Sequence, residues 1–456
     1  MSAALFFAQL AWVDGSWARN VVLEVDGAGR FSAVLSGQMP PAGATLLAGP
    51  ILPSLVDAHS HAFQRAFAGL AEQRDAARDD FWSWRDRMYG VALRMNAEQL
   101  RAVAAQLYLE LLQGGYTQVC EFHYLQHQPD GAPYADELTL SWSLADAAES
   151  LGIGLTILPV LYAHAGFDQQ PLRPDQRRFA TNARWVWAAS ERINAAGRSL
   201  LSAGLAIHSL RGASASDITQ LQSLAEGQDL PIHIHISEQV REVEDCVAAR
   251  GERPIAWLCS HAHLDRRWHL VHATHADINE ITAVARTGAS VVLCPGTEAN
   301  LGDGDCDLPA WLGAQVPLSV GSDSQVTRSW VEELRWLEYG QRLRLQARNV
   351  AAFPPRETST AARLFEACVE GSAAPAGLAC WGLRPGARAD WLVLDRRASG
   401  LLGLPDTALL SGLLFASQGT PVRDVFVAGR QIIREGRHPR QDQIMADFER
   451  CMHTLW

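Results

Sequence analysis

Ile51-Leu-Pro-Ser-Leu-Val-Asp57-Ala-His59-Ser-His61-Ala-Phe-Gln64-Arg65 is an apolar run that ends in His-x-His. Residues two apart on a strand point to the same side, so His59 and His61 face one way. Two imidazoles at the end of a buried strand can grip one cation from one direction. If the strand at 51–56 is the first of a (β/α)8 barrel, that end is where such folds build their active sites. A His-x-His pair alone is equally compatible with two satisfied core histidines, so the rest of the chain has to decide.

From Ile51 to about 382 the sequence alternates apolar strands with amphipathic helical stretches, the pattern of a parallel α/β barrel. After the strand at 51–56, the expected strands are Gly115–Glu121, Gly152–Leu161, Leu201–His208, Pro231–His235, Trp268–His272, Ala289–Cys294 and Pro317–Asp323, which makes eight. Residues 1–50 and 383–440 read instead as short strands and turns, with Asp26-Gly and Gly29-Arg marking a hairpin. The expected fold is therefore a TIM-like (β/α)8 barrel over 51–382. A β-sandwich from 1–50 and 383–440 lies beside it, and a terminal helix spans 441–456.

With 456 residues, 48% hydrophobic content and 20% charged residues, the chain has the composition of a globular enzyme with one large and one smaller domain. A net charge of −11 argues against nucleic acid or an anionic membrane as partner. No apolar stretch is long enough to span a bilayer. Met1-Ser-Ala-Ala-Leu-Phe-Phe lacks a basic segment before its apolar run, and Val13-Asp-Gly-Ser-Trp continues it, so a first strand is expected rather than a secretory leader. The eight cysteines (120, 246, 259, 294, 306, 368, 380, 451) show no metal or redox spacing, which suits reduced thiols in the cytoplasm. The chain contains no lysine; all 39 basic residues are arginine. Schiff-base catalysis, a P-loop lysine and a carbamylated-lysine bridge between two metals are thereby excluded.

Further strand ends carry polar groups where a barrel would present them. His208 follows Leu-Ala-Ile and precedes Ser-Leu-Arg211; His235 follows Pro-Ile-His-Ile and precedes Ile-Ser-Glu238. His272 follows His-Leu-Val, and Asp323 follows Leu-Ser-Val-Gly-Ser. One such histidine is unremarkable; several at consecutive strand ends, with a late aspartate, are not. This order of HxH, His, His and Asp resembles the amidohydrolase superfamily, and within it the mononuclear aminohydrolase branch that uses no bridging lysine. The narrowest resemblance is to the formimino-glutamate deiminases of bacterial histidine degradation. The words that carry it are His59-Ser-His-Ala-Phe-Gln-Arg-Ala, Phe81-Trp-Ser-Trp-Arg85, Glu121-Phe-His-Tyr124, His208-Ser-Leu-Arg211, His233-Ile-His-Ile-Ser-Glu238, Thr297-Glu-Ala-Asn-Leu-Gly-Asp-Gly304 and Gly321-Ser-Asp-Ser. One departure is Cys294-Pro-Gly296-Thr, where a residue with a side chain is expected at 296 and its absence is expected to loosen a loop near the site.

The resemblance implies one metal per chain, held by His59, His61, His235 and Asp323, with zinc expected and ferrous iron also chemically suitable. His235 is preferred over His233 because it lies nearer the strand's C-terminal end. Zinc lowers the pKa of its bound water to about 7. Glu238, where the chain leaves the strand, is expected to carry the proton, with His272 polarising the reacting centre and Asp323 completing the catalytic set. Arg85 and Arg211 are expected to bind substrate carboxylates, with Gln64, Tyr124 and His208 beside them; guanidinium forks suit carboxylates. Phe81, Trp82 and Trp84 are expected to form a lid. The implied reaction is hydrolytic deimination of N-formimino-L-glutamate by a cytoplasmic enzyme, and the family leads us to expect a homodimer. An aminohydrolase of a guanine- or cytosine-like ring and a non-catalytic barrel that senses a small acid are the alternatives.

Overall fold

The computed structural model describes residues 4–74 and 80–456. Residues 1–3, where the leader-or-strand question begins, lie outside the described residues; from Ala4 the chain is a strand, Ala4–Val13.

Eight parallel strands form the barrel: β1 (Leu55–Ser60), β2 (Tyr116–His123), β3 (Gly154–Leu161), β4 (Leu205–Ile207), β5 (Ile232–Ile236), β6 (Trp268–His272), β7 (Ser290–Leu293) and β8 (Leu318–Val320). Each pairs with the next in chain order. Strands covered on both faces should be apolar throughout rather than alternating, and β3, Gly-Leu-Thr-Ile-Leu-Pro-Val-Leu, is buried at every position. The surrounding helices show the complementary period: Ala97–Gln113 buries Leu100, Val103, Leu107 and Leu111 against the strands.

The ends of the chain meet in a second sheet. Ala4–Val13, Ser16–Val25 and Phe31–Leu35 run antiparallel to one another, and Trp391–Leu394, Val422–Val427 and Arg430–Ile433 do likewise. Its pleat divides the side chains of Trp391–Leu394 between two cores. Trp391 and Val393 join a separate cluster with Phe6, Phe31 and Phe426, whereas Leu392 and Leu394 join the barrel core. Trp391 stacks on Phe426 at 4.3 Å, which anchors that smaller core.

The stretch expected as a single strand at 51–56 is divided between these sheets. Ile51–Pro53 pairs antiparallel with Trp391–Val393, and the barrel strand begins only at Leu55. Proline has no N–H for a ladder. After it, Ser54 leaves both ladders, accepting from the indole N–H of Trp381 at 2.8 Å and hydrogen-bonding Thr117 across the barrel end at 2.7 Å.

The last strand closes against the first through the residues of interest themselves. The amide of Asp323 donates to His59 O at 2.9 Å, and the amide of His61 donates to Asp323 O at 3.3 Å. Beneath them, the buried Asp57 carboxylate accepts from the Ser322 amide at 2.8 Å and the Ser322 hydroxyl at 2.6 Å. Gly321 makes this approach possible: a Cβ there would lie 2.7 Å from the Cβ, N and O of His59. We therefore expect Gly321→Ala to force β8 away from β1, at about 1–3 kcal/mol of stability, as for overpacking elsewhere. A lowered unfolding midpoint checks this; an unchanged midpoint would mean the seam tolerates the extra methyl.

Candidate metal and substrate site

Three imidazoles converge at the C-terminal mouth of the barrel. His59 Nε2 lies 3.2 Å from His61 Nε2 and 2.9 Å from His235 Nε2. One carboxylate oxygen of Asp323 is 3.5 Å from His59 Nε2 and 3.3 Å from His61 Nε2. The opposite ring nitrogens define the tautomers: His61 Nδ1–H donates to Phe122 O at 2.9 Å, and His235 Nδ1–H donates to His208 O at 3.0 Å. Both Nε2 lone pairs therefore point at His59. A hydrogen on His59 Nε2 could serve only one of these two lone pairs and the Asp323 oxygen well, which leaves the cluster short of positive charge. Burial pushes the His59 pKa down to about 3 and lowers those of His61 and His235, so further protonation is disfavoured. Neutral imidazoles and a carboxylate are the donors that a divalent cation takes. These residues fit a metal, and groups of His59, His61 and Asp323 and of His59, His235 and His272 each bring their ligand atoms within 4.8 Å of one another.

His233, one pleat below, takes no part. It contacts Pro375 O at 2.9 Å and packs against the ring of His269 at 4.7 Å, in the barrel interior. Its neighbour His235 alone reaches the mouth.

His272 stands on the other side of the cluster. Its Nδ1–H faces Glu298 Oε1 at 3.4 Å, leaving Nε2 toward Glu238 at 3.7 Å and Asp323 at 3.8 Å. Burial works against a proton on this ring, but the carboxylates of Glu238, Glu298 and Asp323 outweigh it and raise the His272 pKa. Burial also raises Glu238, to about 7, despite the opposing pull of His272. Ser237, His272 and Asp323 all adopt left-handed backbone, with φ of 53°, 68° and 48°. Such conformations are uncommon for residues with side chains and mark sharp turns where the strands end.

Two residues escaped the sequence reading although their words were quoted. Glu298 receives the Cys294 amide at 2.9 Å and holds His272 from behind. Glu121 receives the Ala62 amide at 2.6 Å and the Ser60 hydroxyl at 3.0 Å, bracketing His61. Both are buried carboxylates, and nothing in the local sequence marks them, because the cost of that burial becomes visible only in the folded chain.

A cavity of about 670 Å³ opens above the cluster. Gln64, Arg85, Tyr124, His208 and Arg211 all line it, together with His61, His235, Glu238, His272 and Asp323. His59 lies beneath the cavity wall, fully buried. Gln64 donates to the Tyr124 hydroxyl at 3.1 Å, and the His208 ring packs on Tyr162 at 4.1 Å. Arg85 Nε and Arg211 Nη1 are buried with no hydrogen-bond partner among the described residues. Phe81, Trp82 and Trp84 form one wall of the cavity.

Gly296 does not loosen its surroundings as expected. It lies in the helix Pro295–Leu301, and its amide donates to Glu333 at 2.8 Å. A Cβ would meet the Thr327 hydroxyl at 2.4 Å and Glu333 at 2.9 Å, so the space of the expected side chain is filled by these two residues.

Comparison with known proteins places this geometry in context. A family model described as Amidohydrolase family matches residues 51–432. The formimidoylglutamate deiminase of Pseudomonas aeruginosa is 46% identical over 457 residues, covering 98% of this chain and 99% of that protein. The crystal structure of an amidohydrolase from Brucella melitensis superposes with a TM-score of 0.93 at 38% identity, covering 99% of each chain. An adenosine deaminase from Xanthomonas campestris, solved with bound zinc, gives a TM-score of 0.82 at 22% identity, covering 100% of this chain and 98% of that one. At that identity the likeness is one of fold.

The convergence of these donors leads us to expect one tightly held metal per chain, measurable by elemental analysis of the purified protein. Asp323→Ala should retain much less of it. Two tightly bound metals per chain would contradict a single shared site.

Proposed function

The chain belongs to the amidohydrolase family of metal-dependent hydrolases, is a hydrolase acting on carbon–nitrogen bonds, and, we propose, converts N-formimino-L-glutamate and water to N-formyl-L-glutamate and ammonia. The observation that carries this reading is the pair of guanidiniums in the cavity. Among the described residues Arg211 has no ion pair within 4 Å, and Arg85 reaches only Asp86, at 3.6 Å. Buried unpartnered N–H groups beside the His/Asp cluster call for an anionic ligand. The sequence similarity to the Pseudomonas aeruginosa enzyme points to the same substrate.

His59, His61, His235 and Asp323 would hold the metal, which we take to be zinc, the ion bound in the Xanthomonas campestris deaminase structure. When bound, such an ion supplies a water molecule acidified toward neutral pH and polarises the group beside it. The protein's own groups complete the chemistry. Arg85 and Arg211 take the two carboxylates, with Gln64, Tyr124 and His208 flanking the chain between them, and so direct the formimino carbon to the mouth of the barrel. Glu238, with a pKa raised by burial to about 7, can accept a proton and return it at this pH. It delivers that proton to the imino nitrogen, which departs as ammonia while the carbon keeps the new oxygen. His272, fixed by Glu298, offers Nε2 to the oxygen at the tetrahedral stage.

An aminohydrolase of a nucleobase-like ring would share the metal cluster but leave both guanidiniums without an anion. A sensor barrel would have no use for a carboxyl group with a near-neutral pKa. We further propose that the enzyme is cytoplasmic, its cysteines all being free thiols, and that it works as a homodimer. Among the described residues no helix is long and apolar enough to cross a membrane.

Ammonia release from a panel of formimino amino acids and nucleobases tests the assignment directly: formimino-glutamate should be the preferred substrate. Glu238→Gln should keep its metal and lose about 10²–10⁴-fold in turnover, because the amide keeps the shape without the transferable proton. Near-normal turnover would transfer the shuttle to another group. Arg211→Met should keep its metal and lose roughly 30- to several thousand-fold in kcat/KM, the equivalent of about 2–5 kcal/mol for an anion left unpaired. Full activity in that variant would remove the carboxylate clamp from the reading.

A further inference from the structure

The helix Phe81–Ala92 presents Trp82 in its first turn, where the Asp80 side chain accepts the Trp82 amide at 3.0 Å and the Ser83 amide at 3.3 Å. This cap holds the start of the helix, and with it the indole, in place. Three guanidiniums gather around that indole. The Arg85 carbon lies 4.6 Å from the ring centroid, that of Arg211 5.5 Å and that of Arg241 5.0 Å. All are within the distance at which a cation feels the ring quadrupole. They come from three separate places: Arg85 one turn along the same helix, Arg211 after β4, and Arg241 from the helix Val240–Arg250 after β5. All three line the same cavity as Glu238 and Asp323.

Three like charges do not assemble without compensation. Asp86 stands 3.6 Å from Arg85, and Asp245 stands 3.6 Å from Arg241, where both partners are half-exposed and the attraction is screened. Arg211 has no ion pair within 4 Å among the described residues, and the carboxylates of Glu242 and Glu238 offset its charge from farther away. The common neighbour of all three is the indole. Aromatic faces accept guanidiniums without consuming their N–H groups, so the donors remain available to a ligand.

We propose that Trp82 is a positioning residue for specificity, gathering Arg85, Arg211 and Arg241 into one anion-binding wall that selects dicarboxylate over monocarboxylate substrates. Arg241 is the third member of that wall. This inference rests on the function proposed above for its substrate, but the wall itself can be tested without turnover.

The experiment uses the metal-loaded enzyme with Trp82→Leu, Trp82→Phe and Arg241→Met. Glutarate, a dicarboxylate with nothing to hydrolyse, serves as the binding probe by isothermal titration calorimetry. Formimino-glutamate and formimino-glycine serve as di- and monocarboxylate substrates. Trp82→Leu should weaken glutarate binding and raise KM for formimino-glutamate by roughly tenfold or more, given the usual strength of cation–π contacts. Its kcat should stay within about threefold, and its preference for formimino-glutamate over formimino-glycine should shrink. Trp82→Phe, which keeps an aromatic face, should recover much of the loss. A general structural role would not produce that split or that rescue. Should Trp82→Leu fail to fold, Arg241→Met on the surface helix carries the test, with weaker glutarate binding and unchanged metal content expected. Wild-type glutarate affinity and substrate preference in the folded Trp82→Leu variant, or in Arg241→Met if it stands in, would overturn the proposal. A wild-type enzyme that binds glutarate but releases no ammonia from formimino-glutamate would overturn the proposed function and support the wall.

Discussion

The backbone hydrogen bonds that join His59 and His61 to Asp323 govern most of what this molecule can do. They close the barrel, because they join its first strand to its last. They also bring the His-x-His pair to the aspartate, because the same three residues supply side chains of the cluster. Closure of the fold and assembly of the site are thus one event. Gly321 and Asp57 serve both at once, the first by leaving room and the second by drawing Ser322 across the seam. Parallel strands make this economical, since all of their C-terminal ends open at one mouth.

Charge is laid out within the cavity in two regions. At the floor, neutral imidazoles and the Asp323 carboxylate form a cluster deficient in positive charge, with Glu238 and His272 beside it. Along the wall, guanidiniums surround an indole with N–H groups left over. A molecule with carboxylates at one end and an imino carbon at the other matches that layout, because each end meets the charge it lacks. The low dielectric of a buried cavity makes each mismatch costly, so the same layout discriminates against uncharged rings.

Around the reacting groups, the protein invests in orientation. Glu298 and Glu121 are buried carboxylates that touch neither the cavity nor each other. One fixes the ring of His272, and the other accepts from the Ser60 hydroxyl and the Ala62 amide on either side of His61. Left-handed backbone at Ser237, His272 and Asp323 breaks the extended path where these strands end. Side chains locked in this manner need little reorganisation when a substrate binds.

The barrel, its eight strands and the residues at their ends were legible in the amino-acid sequence because each depends on a local pattern. An apolar run marks a strand buried on both faces, a two-residue spacing sets His59 and His61 on one side, and the missing lysine rules out a lysine-bridged pair of metals whatever the fold. Motif words singled out Arg85 and Arg211 as well. Other features depended on residues far apart in the chain. The division of 51–56 between two sheets was set by pairing with Trp391–Val393, more than 330 residues away. Gly296 read as a gap, and only the packing of Thr327 and Glu333 into its space showed otherwise. Glu298, Glu121 and Arg241 carry no distinctive local pattern, since a carboxylate or guanidinium becomes informative only once its burial and its neighbours are known. Local periodicity determines which way a side chain points along its own strand, but tertiary structure decides what it meets there.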